Sequence, residues 1–355
     1  MEVGTALPSI GSIVVFACNL MGDSVCRLPA IEAAKRAYPE GRVAVVADPA
    51  GQAVFEGQTF IDEVRLFRRS GDPITQARAW WQLIVWARRQ RPDLVLDLYG
   101  SKRTAAATRL IGGRWRAGLH RGWAARCYNL RESASGDSRL QGHMIEIVNR
   151  GVAPAGIWAE FVYPPLAISD GDRAAADGLI AEHVRTGSAS IVVLNPTARV
   201  EAKRWAPERF GRLARRVAAE AGVRPLVVTS PDERNLAEAV VRASGKAAVA
   251  LPLLPLKRLA AVLAHASVLV SGDTGLLHVG TAMGVRSVIL AGPNDPALVA
   301  YPRLPQVALY HPEACGERQG GPVCARHNTC RTGRCMDAIT VEEATAAVLE
   351  LLRRR

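Results

Sequence analysis

VLVSGDTGLLH, residues 268–278, is the stretch that decides the fold. Val268, Leu269 and Val270 read as a short buried strand, the turn is polar and glycine-bearing, and an apolar run then opens a helix at Leu276. A strand that runs into a helix start in this way belongs to an α/β sheet. Backbone N–H groups at the helix start point at whatever lies above the strand end, and they suit a phosphate. Gly275 permits close backbone approach. Thr274 can add a hydroxyl donor, and Asp273, an odd neighbour for a phosphate, is expected to cap amides or take a ribose hydroxyl. His278, one helical turn on, is expected on the same side. An N-cap Asp or Thr with a core His would account for each residue singly, but not for the ordered cluster.

Outward from this stretch the same alternation recurs. In the first half, residues 13–17 (IVVFA), 42–47 (RVAVVA), 61–66 and 93–98 (DLVLDL) read as strands. A polar turn is expected over 18–24, an amphipathic stretch from there to Tyr38, and a helix over 75–89. In the second half, residues 190–194, 225–229, 247–251, 268–270 and 287–290 read as strands. Helices are expected over 208–221 behind Pro207, over 256–265 and over 276–283. Residues 340–355 open with the capping-box pattern Thr340-Val-Glu-Glu343 and form a final amphipathic helix. Residues 139–165 carry few periodic signals. The expectation is two doubly wound, Rossmann-like domains, 1–165 and 166–355, facing a central cleft that holds the active site.

Bulk composition agrees. A chain of 355 residues is too long for one ordinary core. A hydrophobic content of 49% with 22% charged residues is that of a globular protein. No apolar run approaches the length of a membrane span, and Met1-Glu2-Val3 does not open a secretory signal, so the cytoplasm is expected. The net charge of +12 is uneven. Between 102 and 150 lie Lys102, Arg103, Arg109, Arg114, Arg116, Arg121, Arg126, Arg131, Arg139 and Arg150, against Glu132, Asp137 and Glu146. That bias favours an anionic partner, although a solvated basic surface would look the same. Aromatic residues make up only 5% and no nucleic-acid motif occurs, so nucleic acid is not expected as a partner.

Three further strand-end segments carry chemistry. Residues 194–207 (LNPTARVEAKRWAP) form a long loop before a Pro-started helix. In it Lys203 is a point charge suited to a pyrophosphate, and Trp205 is expected to anchor the loop by packing. Met21-Gly22-Asp23 follows the first strand. A carboxylate there can take a proton from a hydroxyl nucleophile, or it can cap the next helix, and residue chemistry alone leaves both open. Asp97-Leu-Tyr-Gly100-Ser101-Lys102-Arg103 is again a strand end and helix start, with Ser101, Lys102 and Arg103 suited to an anionic acceptor group.

Six segments together, MGDSVCRLPAIEAAKRAYP, DLVLDLYGSKRTAAATRLIGG, LNPTARVEAKRWAPERF, TSPDER, LAAVLAHASVLVSGDTGLLHVGTAMG and AGPNDP, resemble in content and order the ADP-heptose:lipopolysaccharide heptosyltransferase family, glycosyltransferase family nine. The resemblance runs over nearly the whole chain. It implies a GT-B fold with an N-terminal acceptor domain and a C-terminal donor domain, and inverting transfer of heptose with no catalytic cofactor. It implies Asp23 as general base and Lys203 as the lysine that neutralises the diphosphate. The donor site it implies comprises Asn195, Thr197, Lys203, Arg204, Glu233, Leu254, Asp273, Thr274, Gly275 and His278, and the acceptor side Gly22, Ser101, Lys102 and Arg103. It also implies an ADP-heptose donor, an anionic glycolipid acceptor of the lipopolysaccharide inner core, and peripheral contact with the inner membrane. Another nucleotide sugar, a protein acceptor, an epimerase of the same fold and a non-catalytic nucleotide-sugar-binding module are the alternatives.

Residues 315–335 hold Cys315, Cys324, Cys330 and Cys335 with His327 among them. Clustered cysteines in a reducing compartment suggest a structural zinc or iron rather than disulfides. Intervals of eight, five and four residues nevertheless lack the CxxC pairs of a zinc ribbon. In a family subgroup that glycosylates autotransporter proteins, four cysteines hold iron. Cys18, Cys26 and Cys127 are scattered, and are expected to be buried and inert.

Overall fold

The computed structural model describes residues 7–18, 20–68, 71–119, 122–131, 142–184, 190–316, 318 and 320–354. The chain divides into two compact units, Met1–Ala167 and Ile168–Arg355.

In the first unit the strands are β1 (Ser12–Phe16), β2 (Arg42–Ala47), β3 (Glu63–Leu66), β4 (Leu94–Asp97) and β5 (Trp115–Gly118). They form one sheet in the order β3-β2-β1-β4-β5, with every pair parallel. Ile13, Val14, Val15 and Phe16 of β1 are all fully buried, as a strand covered on both faces must be. The helices are α1 (Met21–Ala37), α2 (Pro49–Phe55), α3 (Pro73–Arg89), α4 (Lys102–Ile111) and α5 (Met144–Val152). The inner sides of α3 and α4 share one apolar cluster with the sheet, including Leu83, Ile84, Ala107 and Ile111 against Phe16, Val46 and Val95.

This unit departs from the sequence reading in three places. The expected polar turn over 18–24 is cut short, because α1 already begins at Met21. The helix is not amphipathic either, since Gly22 and the run from Ser24 to Ile31 are buried. The segment that looked aperiodic contains α5, whose start is fixed by His143: its ring Nδ1 accepts from the Ile145 amide at 3.1 Å. Strand β5 has Arg116 and Gly118 in its four residues, and at a sheet edge it shows no apolar run to read.

The second unit contains α6 (Asp170–His183), β6 (Val192–Asn195), α7 (Pro207–Ala221), β7 (Leu226–Val227), α8 (Arg234–Ala243), β8 (Val249–Ala250), α9 (Leu256–Ala264), β9 (Val268–Gly272), α10 (Gly275–Ala282), β10 (Arg286–Ala291), β11 (Gln306–Tyr310), α11 (Arg334–Asp337) and α12 (Val341–Arg353). The sheet order is β11-β10-β9-β6-β7-β8, again parallel throughout. Strand β9 runs two residues beyond Val270, so Ser271 and Gly272 lie in the ladder. Both boundary signals read from the sequence are in place. Pro207 occupies the first turn of α7, and Thr340 with Glu343 forms the capping box of α12.

Trp205 is the anchor of this unit. It is 2% exposed, meets Phe210 edge-on at 5.0 Å between ring centres, and donates from Nε1 to the Ile339 carbonyl at 3.0 Å. That bond ties the loop after β6 to the chain entering α12. In both sheets the strand order reverses beside the first strand, between β1 and β4 and between β6 and β9. Outside the carboxyl ends at such a point, neighbouring loops diverge and leave a crevice for ligands.

Replacing Trp205 by Ala is expected to cost the second unit about 3–5 kcal/mol of unfolding free energy, through the cavity and the lost indole donor. Chemical denaturation followed by circular dichroism checks this. A loss below about 1 kcal/mol, the scale of an ordinary surface change, would show that the loop is held elsewhere.

Candidate functional site

At the reversal point of the second sheet, Asn195 ends β6 directly opposite Ser271 of β9. The Asn195 amide nitrogen donates to Ser271 Oγ and to Thr274 Oγ1, both at 3.0 Å. Its oxygen accepts from Thr197 Oγ1 at 2.7 Å and from the Thr197 amide at 3.3 Å. Two donors and two acceptors are the whole capacity of a carboxamide. Asn195 is therefore saturated by the protein, and it braces the loop after β6 against the loop after β9.

The same two loops meet in an ion pair. Lys203, at the end of a 3-10 turn over Glu201–Lys203, donates from Nζ to Asp273 Oδ2 at 2.6 Å. Asn294, in the turn after β10, donates to the same oxygen at 2.9 Å. The pair is largely sheltered, with 18% of the Lys203 side chain and 15% of the Asp273 side chain exposed. Burial alone would raise the pKa of Asp273. The Lys203 charge and hydrogen bond, the charge of His278 and the Asn294 bond together outweigh it and hold the carboxyl below its ordinary value. Among the described residues Asp273 caps no amide, one of the two roles expected of it from the sequence, and it holds the lysine instead. His278 is buried on α10 and acts on this carboxylate electrostatically. Glycine makes the approach of the lysine loop feasible. A Cβ at Gly272 would lie 3.2 Å from the Lys203 carbonyl, and one at Gly292 would lie 3.2 Å from the Ala202 carbonyl.

Farther along the same sheet edge, Arg204 donates from Nη2 to Glu233 Oε1 at 2.6 Å and to the Ala198 carbonyl at 3.0 Å. Glu233 Oε2 accepts from Ser230 Oγ at 2.9 Å. Leu254 lies half-buried between β8 and α9. Every donor-side residue singled out in the sequence thus follows the carboxyl end of a strand of one sheet. Ser271 and Asn294 were given no role there. Asn294 stands in a strand-end turn of the same kind that marked Asp273, and that was the signal available.

In the first unit, Asp23 lies in the first turn of α1, while the N-cap is Leu20, with no side-chain cap bond. The capping alternative for Asp23 is therefore set aside. Arg27, four residues on, is 5% exposed and donates from Nε to the Leu98 carbonyl at 2.8 Å, just past β4. Burial depresses its guanidinium, and the carboxylates of Asp23 and Asp97 act against that. Its Nη1 has no hydrogen-bond partner among the described residues. The sequence reading passed over Arg27, although an arginine in so apolar a helix, one turn after an aspartate, was a usable signal. Asp97 is buried and pushed up by burial, and it accepts from the amides of Tyr99 and Gly100 and from Tyr128 OH at 2.9 Å. Gly22 is buried in α1. Ser101 caps α4 by accepting from the Thr104 amide at 3.1 Å, so its hydroxyl has a structural partner. Lys102 and Arg103 are exposed. Of the basic segment, Arg121 and Arg139, with Glu132 and Asp137, lie outside the described residues.

Cys315, Cys324, Cys330 and Cys335 are free thiols, as are buried Cys18, Cys26 and Cys127. Among the described residues no group of three or more His, Cys, Asp or Glu side chains is arranged to hold a metal ion. The same residues contain no helix long and apolar enough to cross a membrane.

The chain matches the model of glycosyltransferase family 9 (heptosyltransferase) over residues 80–318, more than half its length. It is 26% identical over 301 residues to lipopolysaccharide heptosyltransferase 1 of Escherichia coli (strain K12), covering 81% of this chain and 89% of that one. A family 9 glycosyl transferase of Veillonella parvula superposes with a TM-score of 0.82 at 20% identity, over 100% of this chain and 99% of that chain. The E. coli ADP-heptose lps heptosyltransferase II superposes with a TM-score of 0.74 at 17% identity, over 96% and 98%. The two parallel α/β units are those of the GT-B glycosyltransferases. The chain belongs to glycosyltransferase family 9, the heptosyltransferases, and is an enzyme of sugar transfer.

Proposed function

We propose that this enzyme transfers heptose from ADP-heptose, with inversion, to a hydroxyl of an anionic glycolipid acceptor of the lipopolysaccharide inner core. We place it in the cytoplasm at the inner membrane surface. The observation that carries the reading is the sheltered Lys203–Asp273 pair beside the start of α10, at the reversal point of the second sheet. A lysine and a helix start at a strand end suit a departing diphosphate. ADP-heptose as donor is supported by the name of the structural relative that carries it.

In the proposed step, Asp23 takes the proton of the acceptor hydroxyl as the oxygen bonds to the anomeric carbon from the face opposite the diphosphate. The bond from that carbon to the diphosphate oxygen breaks, and ADP leaves with the electron pair. Lys203 neutralises the charge that builds on it. Without donor, Lys203 is held by Asp273; with donor bound, it is shared with the diphosphate. Asn195, through Ser271 and Thr274, keeps the two loops in register. Arg204 and Glu233 fix the outer part of the donor loop, and Lys102 and Arg103 offer exposed charge to the anionic acceptor. No step uses a cofactor, and residues 315–335 take no part in the chemistry.

Replacing Asp23 by Ala should lower turnover by about 10²–10⁴-fold, the usual contribution of a general base, and leave ADP affinity unchanged in calorimetry. Near-normal turnover in that variant would sink the assignment of the base. Replacing Lys203 by Ala removes a charged partner worth roughly 1.5–3 kcal/mol, so ADP should bind about 10–100-fold more weakly. A panel of ADP, UDP and GDP measured the same way tests the base: UDP or GDP binding as tightly as ADP would point to a different donor. Raising ionic strength should raise the acceptor KM, since exposed Lys102 and Arg103 are screened within a Debye length of about 10 Å at 0.1 M salt. An acceptor KM indifferent to salt would mean that these side chains do not contact it.

A further inference from the structure

Helix α3 has an outer face that the transfer reaction does not use. At about 100° per residue, Ile74, Arg78, Trp81 and Val85 fall on one stripe pointing away from the sheet, with Arg88 and Arg89 beside it. The opposite side is the one that packs, through Leu83, Ile84 and Ala87. The stripe is well exposed, Ile74 at 81% and Trp81 at 63%, and nothing in the described fold covers it. A groove of about 510 Å³ runs along it, lined by Arg65, Trp81, Gln82, Val85, Trp86 and Arg89. Arg65 stacks over the Trp86 ring at 5.7 Å.

The charge of this surface is predominantly positive, and the Glu63 carboxylate, which accepts from Trp86 Nε1 at 3.2 Å beside the groove, is paired with Arg42. Neither α3 nor α4 contains an acidic residue. The two are joined at the surface, where Arg88 donates from Nε to the Leu110 carbonyl at 2.9 Å and Arg103 reaches Gln76 at 3.5 Å. The cationic field therefore continues through Lys102, Arg103 and Arg109, with Leu110 52% exposed among them. Asp72, before α3, is committed to the Ile74 and Thr75 amides and the Thr75 hydroxyl, bonds that hold it below its ordinary value. Among the described residues none of Arg65, Arg68, Arg78, Arg88, Arg89, Lys102, Arg103 and Arg109 is in a salt bridge.

We propose that the outer face of α3, continued by α4, docks this enzyme on an anionic lipid bilayer, with Trp81 and Ile74 entering the headgroup region and the surrounding arginines pairing with lipid phosphates. Exposed Trp and Ile ringed by Arg, with the neighbouring carboxylates Asp72 and Glu63 both engaged by other groups, is the chemistry of an interfacial helix. A polyanion such as nucleic acid would satisfy the arginines but leave Ile74 and Leu110 in water. Each cation near an anionic membrane strengthens partitioning roughly fivefold, so unpaired ones in this number suffice for reversible attachment. The inference deepens the peripheral-membrane part of the proposed function, and its physical basis, the exposed apolar and cationic face, does not depend on transfer.

The test is cosedimentation of the full chain with phosphatidylcholine vesicles, with and without phosphatidylglycerol. Three forms are compared: wild type, Ile74→Ser with Trp81→Ala, and Arg78→Glu with Arg89→Glu. Thermal melts and ADP affinity, expected unchanged, confirm that each variant is folded. Wild type should pellet with the phosphatidylglycerol vesicles only, and each double variant should bind at least about tenfold more weakly. The proposal is overturned if wild type ignores both kinds of vesicle, or if both variants bind like wild type. It is equally overturned if only the arginine variant loses binding, which would make the face a general polyanion site, or if the variants convert a wild-type dimer into a monomer. Vesicle binding without transferase activity would keep this inference and remove the proposed function, whereas transfer without vesicle binding would do the reverse.

Discussion

Lys203 and Asp273 stand 70 residues apart in sequence, and the bond between them organises the second unit's functional edge. An ammonium and a carboxylate this sheltered would each be costly alone, since burial disfavours charge. They are held 2.6 Å apart, and the lysine, with His278 and Asn294 adding to it, keeps the carboxyl below its ordinary value. The result is a cation kept ready at a strand end without an anionic ligand. The rest of the edge serves this arrangement. Asn195 locks the two loops together, Gly272 and Gly292 let the lysine loop approach, and Trp205 pins the far end of that loop to the chain entering α12.

The two units solve a common problem with different chemistry. Each is a parallel sheet whose strand order reverses beside its first strand, and each gathers polar side chains past the strand ends at that point. The second unit balances its charges in a paired, hydrogen-bonded set. The first leaves a buried arginine between two carboxylates, with one guanidinium nitrogen unpartnered among the described residues. Asp23, the proposed base, lies in the field of that arginine.

The uneven positive charge finds a place in the same frame. The sequence drew attention to residues 102–150, where basic residues crowd together. Those of α3 were not counted, and residues 75–89 were read simply as a helix. Only after the helix is folded onto the sheet do Arg78, Arg89, Trp81 and Ile74 prove to share the outward side, with α4 extending it.

How much was legible follows from the range of the interactions. Central strands such as β1, β2 and β9, the Pro-started α7 and the capped α12 are written in local periodicity and cap chemistry, and the sequence located them within a residue or two. The family was legible too, from six ordered segments. Edge strand β5 and helix α5 were not, because β5 carries no apolar run and a nine-residue helix shows little periodicity, and edge strand β11 was passed over although it carries Val307, Ala308 and Leu309. The candidate site residues singled out follow strand ends, which is a local signal, although Asn294, after β10, was passed over. Their partners were not: that Asp273 holds Lys203 rather than capping amides, that Asn195 is saturated, and that Arg27 lies in the field of Asp23 and Asp97 depend on which strands lie side by side. Sequence alone determined the central strands, the capped helices and the family, because short-range periodicity, caps and ordered motifs encode them. Tertiary structure alone decided the pairing of charges and the outward face of α3, because those arise from sheet order, which brings together residues that no local pattern connects.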